Sequence, residues 1–523
     1  MYKLLTNAFI KTPFSSFSNR QQTKMSYSNN FDNNQSNIGL IGLAVMGQNL
    51  SLNIAEKGYK VSVYNRSVSK TELTNLRAKK EGLTEKLIGY EDIGEFVKSL
   101  EKPRKVIMLV QAGEAVDTTI SNLCQYMEEG DMIIDGGNEW YENTERREEV
   151  LKENGILYLG MGISGGEEGA RNGPSMMPGG NYDAYTQIED IVKNVAAKVD
   201  DHSCVTYIGP GGAGNFVKMV HNGIEYGDMQ LISEAYDILK HVGYLTNEEL
   251  AEIFEEWNNT ELQSYLMEIT SIIFRKEDDL VNGMYQIDNI LDKTGMKGTG
   301  KWTVQQAAEL STAIPTIGSS LEARFLSGIK EERIAASTLY PNNNFIKMMS
   351  SYSKKELIND VKEALYASKI CSYAQGMSLI RKKSETENWN ISLRDIAKIW
   401  KGGCIIRAKF LDHISEAYEK NPTLDSLLID ERFVKEIKER EGGWRRVVSL
   451  SVNAGITLPS ITASLSYFDT YRRARLPANL VQAQRDFFGS HTYERNDGKE
   501  GSFHTVWSKN NSSDSITTTN YIN

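Results

Sequence analysis

A run of apolar side chains recurs every three or four positions between Val217 and Leu239, which predicts a long buried helix. Lys218, Asn222 and Glu225 fall on one face of this helix, because a helix turns once in about 3.6 residues. Lys218 and Glu225 lie about 10 Å apart along the axis, beyond the reach of an i,i+4 salt bridge. The two side chains can therefore flank a ligand of several carbons. A solvated lysine and glutamate on an ordinary helix would give the same pattern.

Two glycines, Gly223 and Gly227, interrupt this predicted helix. Each weakens a helix by about 1 kcal/mol relative to alanine. Such a cost is understandable where backbone or a ligand comes close. A close approach is therefore expected along the helix.

Upstream of this helix, short apolar runs alternate with helical patterns. Strands are predicted from Ile38 onward, over Tyr59–Tyr64, over Val106–Val110 and over Met132–Ile134. The alternation is typical of a doubly wound parallel sheet, in which ligands bind beyond the carboxyl ends of the strands.

Downstream, the pattern is mostly helical, and the predicted helices include 247–257, 262–274, 353–376 and 395–413. A glycine-rich break, Gly209–Gly214, precedes the long helix and predicts a domain boundary. The predicted fold is an α/β Rossmann-type domain with a doubly wound sheet, followed by a large all-α domain and a C-terminal tail. The predicted ranges are 1–37 for a disordered extension, 38–212 for the Rossmann domain, 213–473 for the helical domain, 474–509 for the tail and 510–523 for a disordered end.

The first strand runs into a glycine-containing turn, Gly42–Gly47, and then into a helix. This is the order of a dinucleotide fingerprint, with Ala44 in place of the middle glycine, and the helix N-terminus would receive a pyrophosphate. The second strand ends in Asn65-Arg66-Ser67, where an NAD enzyme places an acidic residue. An arginine with a short amide and a hydroxyl suits a 2'-phosphate, so the sequence predicts NADP rather than NAD.

Further loops carry candidate ligand contacts. Gln111-Ala112-Gly113 and Asn138 follow strands, at the edge of the sheet where ligands bind. The glycines of Ser164-Gly165-Gly166 can present backbone N–H groups to an anion. Lys297 and Lys301 flank Gly-Thr-Gly and could clamp a phosphate or carboxylate, at a spacing too short for a Walker A loop. Ordinary turn chemistry is the alternative for each loop.

Composition narrows the class of function. The 523 residues are 40% hydrophobic and 24% charged, which is ordinary globular usage. The net charge of −10 gives no basic field of the kind that nucleic-acid-binding proteins show, so no nucleic-acid partner is expected. An anionic substrate would then need a local cluster of cations.

The four cysteines and six histidines are scattered without zinc-ligand spacing, so no metal site is expected and the thiols are typical of a cytosol-like compartment. No apolar run reaches the roughly 18 residues of a membrane helix, and no membrane partner is expected. The extension 1–37 carries four basic residues and one acid, weakly like a transit peptide. Cytoplasmic location is predicted, with organelle import through this extension as the alternative. Its role, and a second start at Met25, stay open.

The tail segment 475–495 combines Arg485 and His491 with three aromatic residues and little apolar core of its own. Such a segment is expected to gain order only by docking, either on its own subunit or on another.

An ordered set of motifs runs along the chain: GLAVMGQN (42–49), YNR (64–66), DGGN (135–138), SGGEEGAR (164–171), KMVHNGIEYGDMQLI (218–232), KGTGKW (297–302), WKGGCIIR (400–407) and NLVQAQRDFFGSHTYE (479–494). The set resembles that of the decarboxylating 6-phosphogluconate dehydrogenase family over about residues 38–507. The resemblance implies conversion of 6-phosphogluconate to ribulose 5-phosphate and CO2 with reduction of NADP to NADPH. It also implies a homodimer whose tail enters the partner subunit.

By this resemblance, Lys218 is the general base and Glu225 the general acid. The implied substrate contacts are Asn138, Ser164, Gly165, Gly166, His221, Asn222, Tyr226, Lys297, Thr299 and Arg324, with Arg485 and His491 given to the other subunit's site. The implied cofactor contacts are Gly42, Leu43, Ala44, Val45, Met46, Gly47, Asn65, Arg66, Ser67, Val110, Gln111, Ala112 and Asn138.

Three positions depart from the family pattern. Ser67 stands where threonine is more usual, Gln111 where many members have lysine, and Asn215 where histidine is common. The contact of Gln111 and the role of Asn215 therefore stay open. A lysine with an ordinary pKa near 10.4 is a poor base at neutral pH, so burial or the neighbouring Lys297 and Lys301 must lower the pKa of Lys218.

Two alternatives remain. A related 3-hydroxyacid dehydrogenase would share the Rossmann domain, the Ser-Gly-Gly loop and the catalytic lysine, but the length of the helical region, the KGTGKW motif and the tail argue against it. A non-catalytic cofactor-binding scaffold should have lost Lys218 or Glu225, and both are present.

Overall fold

The computed structural model describes residues 35–341 and 353–507, together with the backbone of 516–518. The predictions made for residues 1–34, including the second start at Met25, lie outside the described residues. Among those that are described, no helix is both long enough and apolar enough to cross a membrane.

A seven-stranded sheet is built by the first part of the chain. Its strands are β1 (Ile38–Ile41), β2 (Val61–Tyr64), β3 (Leu87–Tyr90), β4 (Lys105–Met108), β5 (Met132–Asp135), β6 (Leu157–Ser164) and β7 (Ser175–Gly180). The strand order is β3-β2-β1-β4-β5-β6-β7, and all neighbouring strands are parallel except β6 and β7. The predicted doubly wound sheet is confirmed, with an added antiparallel edge strand.

Helices cover both faces of this sheet. They are α1 (Val45–Glu56), α2 (Val68–Lys80), α3 (Ile93–Lys98), α4 (Glu114–Leu123), α5 (Tyr141–Lys152), α6 (Gly166–Asn172), α7 (Tyr182–Thr186) and α8 (Glu189–Val195), followed by a small hairpin of β8 (Lys198–Val199) and β9 (His202–Ser203). Successive residues of β1 enter different cores: Leu40 packs with Ile54, whereas Ile41 packs with Phe96 and Met108. This alternation is what a strand buried on both faces requires.

The chain direction across the sheet reverses between β1 and β4. From β1 the chain passes outward to β2 and β3, and it then returns to β4 on the other side of β1. The loops after β1 and β4 therefore diverge at a topological switch point, where open α/β sheets bind their ligands.

The second part of the chain packs around α9 (Ala213–His241), which confirms the long buried helix. The remaining helices are α10 (Asn247–Trp257), α11 (Tyr265–Arg275), α12 (Gln286–Asn289), α13 (Thr299–Glu309), α14 (Pro315–Gly328), α15 (Lys330–Leu339), α16 (Lys354–Glu387), α17 (Leu393–Ile399), α18 (Phe410–Lys420), α19 (Glu431–Ala454), α20 (Pro459–Tyr471) and α21 (Ala478–Gly489). A short 3-10 helix spans Leu427–Ile429.

The two glycines within α9 are places of close helix packing. A Cβ added at Gly223 would lie 2.6 Å from the side chain of Thr303 in α13, and one at Gly227 would lie 2.3 Å from Ser372 Oγ in α16. Both distances are too short for an alanine without movement of the neighbour. The expected close approach is therefore made by neighbouring helices.

The predicted helix 395–413 is wrong, because the structure divides this stretch into α17 and α18. The connection contains Gly403, which has a φ of +64°. Its carbonyl accepts a hydrogen bond from Ser175 N at 2.7 Å, and a Cβ at this position would lie 2.4 Å from Gly173 O. The connection thus runs against the sheet edge, at a distance that only glycine permits.

The tail has a polar centre that its apolar pattern did not indicate. Asp486 in α21 is fully buried, and its carboxylate accepts hydrogen bonds from Thr492 N, His504 Nδ1, Thr505 N and Trp507 Nε1 at 2.8–3.0 Å. The tail is thus ordered around its own carboxylate, which corrects the expectation that it gains order only by docking. Strand β10 (Phe503–Thr505) pairs antiparallel with β11 (Ile516–Thr518), the described part of the end predicted to be disordered.

Candidate functional site

The polar face of α9 carries the first group of predicted site residues. Lys218 is buried, with 5% of its surface exposed, and its Nζ donates a hydrogen bond to Asn222 Oδ1 at 2.6 Å. Asn222 Nδ2 in turn donates to Thr299 Oγ1, at the start of α13, at 3.1 Å. This chain of contacts fixes the lysine and joins α9 to the loop that carries the lysine-rich KGTGKW motif.

His221 links the same helix to the end of β6. It is fully buried, with Nε2 lying 3.3 Å from Ser164 Oγ and Nδ1 lying 3.1 Å from Asn222 Oδ1. An amide oxygen can only accept, so Nδ1 carries the proton and Nε2 accepts from the serine. Burial and then the charge of Lys218 hold the pKa of His221 well below its ordinary value, so the ring is neutral.

Lys218 and Glu225 have pKa shifts in opposite directions. Burial lowers the pKa of Lys218, against the opposing effect of the Glu225 carboxylate. Burial also raises the pKa of Glu225, against the opposing effects of Lys218 and Arg324. The lysine is therefore shifted toward its neutral, basic form and the glutamate toward its protonated, acidic form, which is the pattern of a general base and a general acid.

The source of the lysine shift differs in part from the expectation. Lys297 and Lys301, the two neighbouring cations proposed from the sequence, are exposed side chains. Burial of Lys218 in the helical core is the largest cause of its lowered pKa. Of the two causes expected for the lowered pKa of Lys218, the structure thus supports burial.

The glycines after Ser164 bend the backbone at the mouth of this cluster. Gly165 and Gly166 have φ angles of +124° and +61°. A Cβ on Gly165 would lie 2.6 Å from Gly403 O, so the α17–α18 connection closes the back of the loop. Cys404, next in that connection, is buried, and the charge of Lys218 affects its pKa. No role for this cysteine was predicted from the sequence.

Arg324 and Tyr226 form the opposite side of the cluster. The guanidinium carbon lies 3.5 Å from the centre of the Tyr226 ring, and Nη1 donates to Gly295 O at 3.1 Å. Tyr226 is buried, whereas Lys297 is exposed just before α13. Arg324 Nη2 also lies 3.5 Å from Met229 Sδ, a weak acceptor. Arg324 thus has no carboxylate partner among the described hydrogen bonds and ion pairs, and its donors suit an incoming anion.

Arg485 and His491 do not join this cluster through their described contacts. Arg485 donates to Gln482 Oε1 at 3.0 Å, and His491 packs edge-on against Phe488 with ring centres 6.0 Å apart. Both side chains are exposed. They are therefore available to a surface other than the tail itself.

The predicted nucleotide loop lies at the switch point of the sheet. A Cβ on Gly42 would lie 2.3 Å from Leu109 O, and one on Gly47 would lie 1.8 Å from Gly42 O, so both positions require glycine. Ala44 and Val45 are exposed at the start of α1, where no side-chain hydrogen bond caps the helix. Its first N–H groups are therefore open to a phosphate, which fits a dinucleotide.

The predicted 2'-phosphate pocket follows β2. Asn65 Oδ1 accepts a hydrogen bond from Leu43 N at 3.0 Å, which ties the end of β2 to the glycine loop. Arg66 and Ser67 are exposed beside it. Asn65 therefore holds the glycine loop, and the side chain of Arg66 remains exposed at the predicted 2'-phosphate pocket.

A buried network that the sequence did not indicate holds the second cofactor loop. Gly113 donates from its N–H to Glu139 Oε2 at 2.8 Å and accepts at its carbonyl from Arg147 Nη2 at 3.0 Å. Arg147 is buried and also pairs with Glu139 at 2.7 Å. Both backbone polar groups of Gly113 are thus fixed next to Gln111 and Ala112. Asn138, which precedes Glu139, is exposed at the same edge.

Comparisons with known proteins agree with this arrangement. The family model described as the NAD binding domain of 6-phosphogluconate dehydrogenase matches residues 37–209, and the one described as the 6-phosphogluconate dehydrogenase C-terminal domain matches 214–507. The chain is 65% identical over 475 residues to 6-phosphogluconate dehydrogenase, decarboxylating 2, of Arabidopsis thaliana, covering 90% of this chain and 97% of that protein. It is 63% identical over 480 residues to the chloroplastic decarboxylating 2 enzyme of Spinacia oleracea, covering 91% and 88%.

A solved structure gives the same result. Plasmodium falciparum 6-phosphogluconate dehydrogenase, studied as the apo form, with its cofactor NADP+ and with its substrate 6-phosphogluconate, aligns with a TM-score of 0.87 and 51% identity. The alignment covers 90% of this chain and 100% of that one. On sequence and on fold, this chain belongs to the 6-phosphogluconate dehydrogenase family.

Proposed function

We propose that this chain is an NADP-dependent decarboxylating dehydrogenase that converts 6-phosphogluconate to ribulose 5-phosphate and CO2. The observation that carries the proposal is the pair of opposed pKa shifts on one face of α9, at Lys218 and Glu225. The reaction needs a base for a hydroxyl proton and an acid for a carbon, and this helix face offers both.

NADP, when bound, supplies the hydride acceptor for oxidation of the substrate at C3. The residues present fit it: the open N-terminus of α1 would hold the pyrophosphate, and Arg66 with Ser67 would hold the 2'-phosphate. Val110, Gln111 and Ala112 would contact the cofactor from the loop after β4, where the next residue, Gly113, is held by hydrogen bonds at its N–H and at its carbonyl.

Lys218 acts first in the proposed sequence. Its neutral amine takes the proton of the 3-hydroxyl as C3 becomes a ketone, and Asn222 keeps the amine in place through the 2.6 Å hydrogen bond. The 3-keto acid then loses CO2, because the carbonyl accepts the developing charge. The protonated lysine stabilises the enolic oxygen, and Glu225 delivers a proton to C1 of the product.

Substrate anions require a local excess of positive charge, because the net charge of the whole chain is −10. Arg324 and Lys297 provide them beside α9, and Ser164, Gly165, Gly166 and Asn138 provide hydrogen bonds at the strand ends. His221, Asn222, Tyr226 and Thr299 complete the proposed substrate contacts. Arg324 is suited to phosphate because its planar donor set matches two oxygens at once.

A homodimer with shared sites completes the proposal. The exposed side of the tail carries Leu480, Val481, Phe487 and Phe488, which are 61%, 57%, 65% and 73% exposed. A patch of this kind is typical of an interaction surface. A second copy would cover it and would receive Arg485 and His491 in its own site. Sedimentation velocity on the purified protein tests the dimer.

Cytoplasmic location is proposed from the reduced-thiol pattern. All four cysteines are free, and Cys204, Cys371 and Cys404 are buried. Organelle import through residues 1–37 is the competing outcome. A fluorescent fusion at the C-terminus of the full chain separates the two, because retention in an organelle would contradict the cytoplasmic proposal.

The decisive experiment is turnover with 6-phosphogluconate and NADP, following NADPH formation and CO2 release together. Equal amounts of both products are expected. NADPH without CO2, or activity only on short 3-hydroxyacids, would favour a related 3-hydroxyacid dehydrogenase. Cofactor binding without turnover would favour a scaffold.

A further inference from the structure

A buried ion pair lies one helical turn beyond Glu225. Asp228 of α9 is 2% exposed, and its Oδ2 accepts from Lys369 Nζ in α16 at 2.5 Å and lies 3.1 Å from the hydroxyl of Tyr373. Lys369 and Tyr373 are buried as well. The pair lies beneath the helix face that carries the catalytic residues, and no step of the proposed reaction uses it.

A buried ion pair of this kind is not well explained by its contribution to the stability of the fold. Removing two charges from water costs several kcal/mol per ion, and well-packed apolar residues of similar volume are often neutral or stabilising in its place. Asp228 Oδ1 is moreover buried without a hydrogen-bond partner among the described residues. The Tyr373 hydroxyl also lies 3.1 Å from Ile406 O, and its single proton can serve only one of the two acceptors. The carboxylate thus remains incompletely compensated.

Glu225 is the nearest catalytic group to this carboxylate. Residues three apart on a helix have Cβ atoms about 5–6 Å apart. Around Glu225, Lys218, Arg324 and Lys297 are cations that favour its ionised form. His221 Nδ1 lies 3.9 Å from its carboxylate but is neutral. The charged and titratable groups that face Glu225 are Lys218, His221 and Asp228 on α9, Arg324 on α14, Lys297 before α13 and Cys404 in the α17–α18 connection.

Asp228 is the anion in this set. Cys404 holds its proton, because burial raises the pKa of this thiol to about 12. Burial and the charge of Asp228 favour the protonated form of Glu225, while the three cations oppose it. A general acid must hold a proton at neutral pH to deliver it. The geometry thus places a fixed negative charge where it offsets the cations that bind substrate.

We propose that Asp228, held by Lys369 and Tyr373, is a positioning residue that keeps the proton on Glu225 until it is delivered to the product carbon. The inference rests on the proposed function. It also accounts for the ion pair: burial raises the pKa of the Asp228 carboxyl, and the charge and hydrogen bond of Lys369 oppose this rise and favour the ionised form.

The test is the pH dependence of kcat in charge-removing variants. Asp228→Asn keeps the shape of the side chain and removes the charge, so the alkaline limb of kcat should move to lower pH by about one unit. Asp228→Asn/Lys369→Met removes an anion and its counter-cation together, and it replaces the single variant if that one is too unstable to purify. It should move the limb in the same direction by a smaller amount, because the charge of Asp228 acts on Glu225 more strongly than that of Lys369. Tyr373→Phe keeps the charge of Asp228 and should leave the limb close to its wild-type position.

A merely structural role would lower kcat at every pH and leave the limb in place. The limb is assigned with Glu225→Gln, in which it should vanish, and adding Asp228→Asn to that variant should move nothing further. Wild-type protein without turnover would overturn the proposed function. Active wild type with an unmoved limb in both charge-removing variants would overturn the role of Asp228 alone.

Discussion

Burial moves the protonation equilibria of Lys218 and Glu225 toward each other. Burial disfavours the charged form of the amine and of the carboxyl alike, because both groups lose hydration in the same core. Both shifts bring the two groups nearer to the pH range in which acid–base catalysis is most effective. The bare spacing of two polar residues on a helix could not indicate this, because it depends on what covers the face.

Removal of either group tests the pair. Lys218→Met and Glu225→Gln should each lower kcat by about 10²- to 10⁴-fold, the usual scale of acid–base loss. NADP affinity should survive in both, since the cofactor loops belong to the sheet. Initial rates and NADP titrations measure the two effects, and near wild-type kcat in one variant removes that residue from the mechanism.

The role proposed for Arg66 leads to a separate prediction about the preference for NADP over NAD. Arg66→Ala loses a charge-assisted contact to a 2'-phosphate, so the KM for NADP should rise about 10- to 100-fold. The KM for NAD, which lacks that phosphate, should change little. Lys70→Ala, an exposed cation in the next turn, is the matched control and should affect neither. Equal effects of Arg66→Ala on both cofactors would contradict the assignment.

Single residues could be predicted where one element or one motif carries them. The helical period placed Lys218 and Asn222 on one face of α9, and the family resemblance added His221 and Ser164 to the same site. Asp228 and Lys369 are 141 positions apart, and both fall in runs that otherwise predict core. Arg147 and Gly113 are 34 positions apart and meet only after the sheet has formed. Polar partners brought together by tertiary packing are thus the part that the sequence does not reveal.

At the scale of elements, the connection between α17 and α18 is a point of contact between the helical region and the edge strand β7 of the sheet. Helical periodicity continues through 395–413 because the apolar positions before and after the break happen to stay in phase. The break depends on the left-handed backbone of Gly403 and on the carbonyl facing it. The helical period therefore predicted that this stretch is helical, whereas its division into two helices depended on local backbone contacts.

Gly403→Ala tests that connection. The substitution adds a strained φ and a contact with Gly173 O, so it should lower the free energy of unfolding by about 2 kcal/mol or more. Gly318→Ala in α14 is the control, because a Cβ there meets nothing within 4 Å and the helix should gain about 0.5–1 kcal/mol. Denaturant unfolding compares them, and similar stabilities for the two variants would contradict the assigned strain.

The raised pKa of the buried Glu234 carboxyl leads us to expect a pH dependence of the free energy of unfolding. Its oxygens accept from Ser460 N and Ile461 N at the start of α20, both at 2.8 Å, and burial raises its pKa from 4.5 to about 7. A folded-state pKa above the unfolded one means that the favourable contribution is fully present below pH 4.5. It is lost as the pH rises toward 7.

Glu234→Gln should remove this dependence. The stability of wild type should fall between pH 5 and 7.5 relative to that of the variant, as measured by denaturant unfolding at both values. Parallel changes in wild type and variant would show that Glu234 does not titrate in this window.

At the scale of the whole molecule, two groups of cations are candidates for binding the anions of the substrate. Arg324 and Lys297 lie beside α9, while Arg485 is exposed on a tail with a large apolar surface. The family resemblance predicted that the two meet across a dimer, which stays a prediction. A phosphorylated sugar acid has more negative charge than the first group alone can match, so the second group is expected to complete the site.

Mixed dimers test this sharing. Arg485→Ala and Lys218→Met should each be nearly inactive, because each damages both sites of a dimer. After subunit exchange, half of the molecules carry one variant of each kind and therefore one intact site. Appreciable activity should return to the mixture. Continued inactivity despite demonstrated heterodimers would mean that the tail serves its own subunit.

The buried carboxylate of Asp486 has a consequence for how fast two copies can associate. The tail does not have to fold while it docks, because four donors already hold it around that carboxylate. Docking a preformed surface loses less conformational entropy and proceeds at the usual rate of about 10⁵–10⁷ M⁻¹ s⁻¹. Enzyme diluted below its dissociation constant and then concentrated again should thus regain specific activity with second-order kinetics and no slow first-order phase.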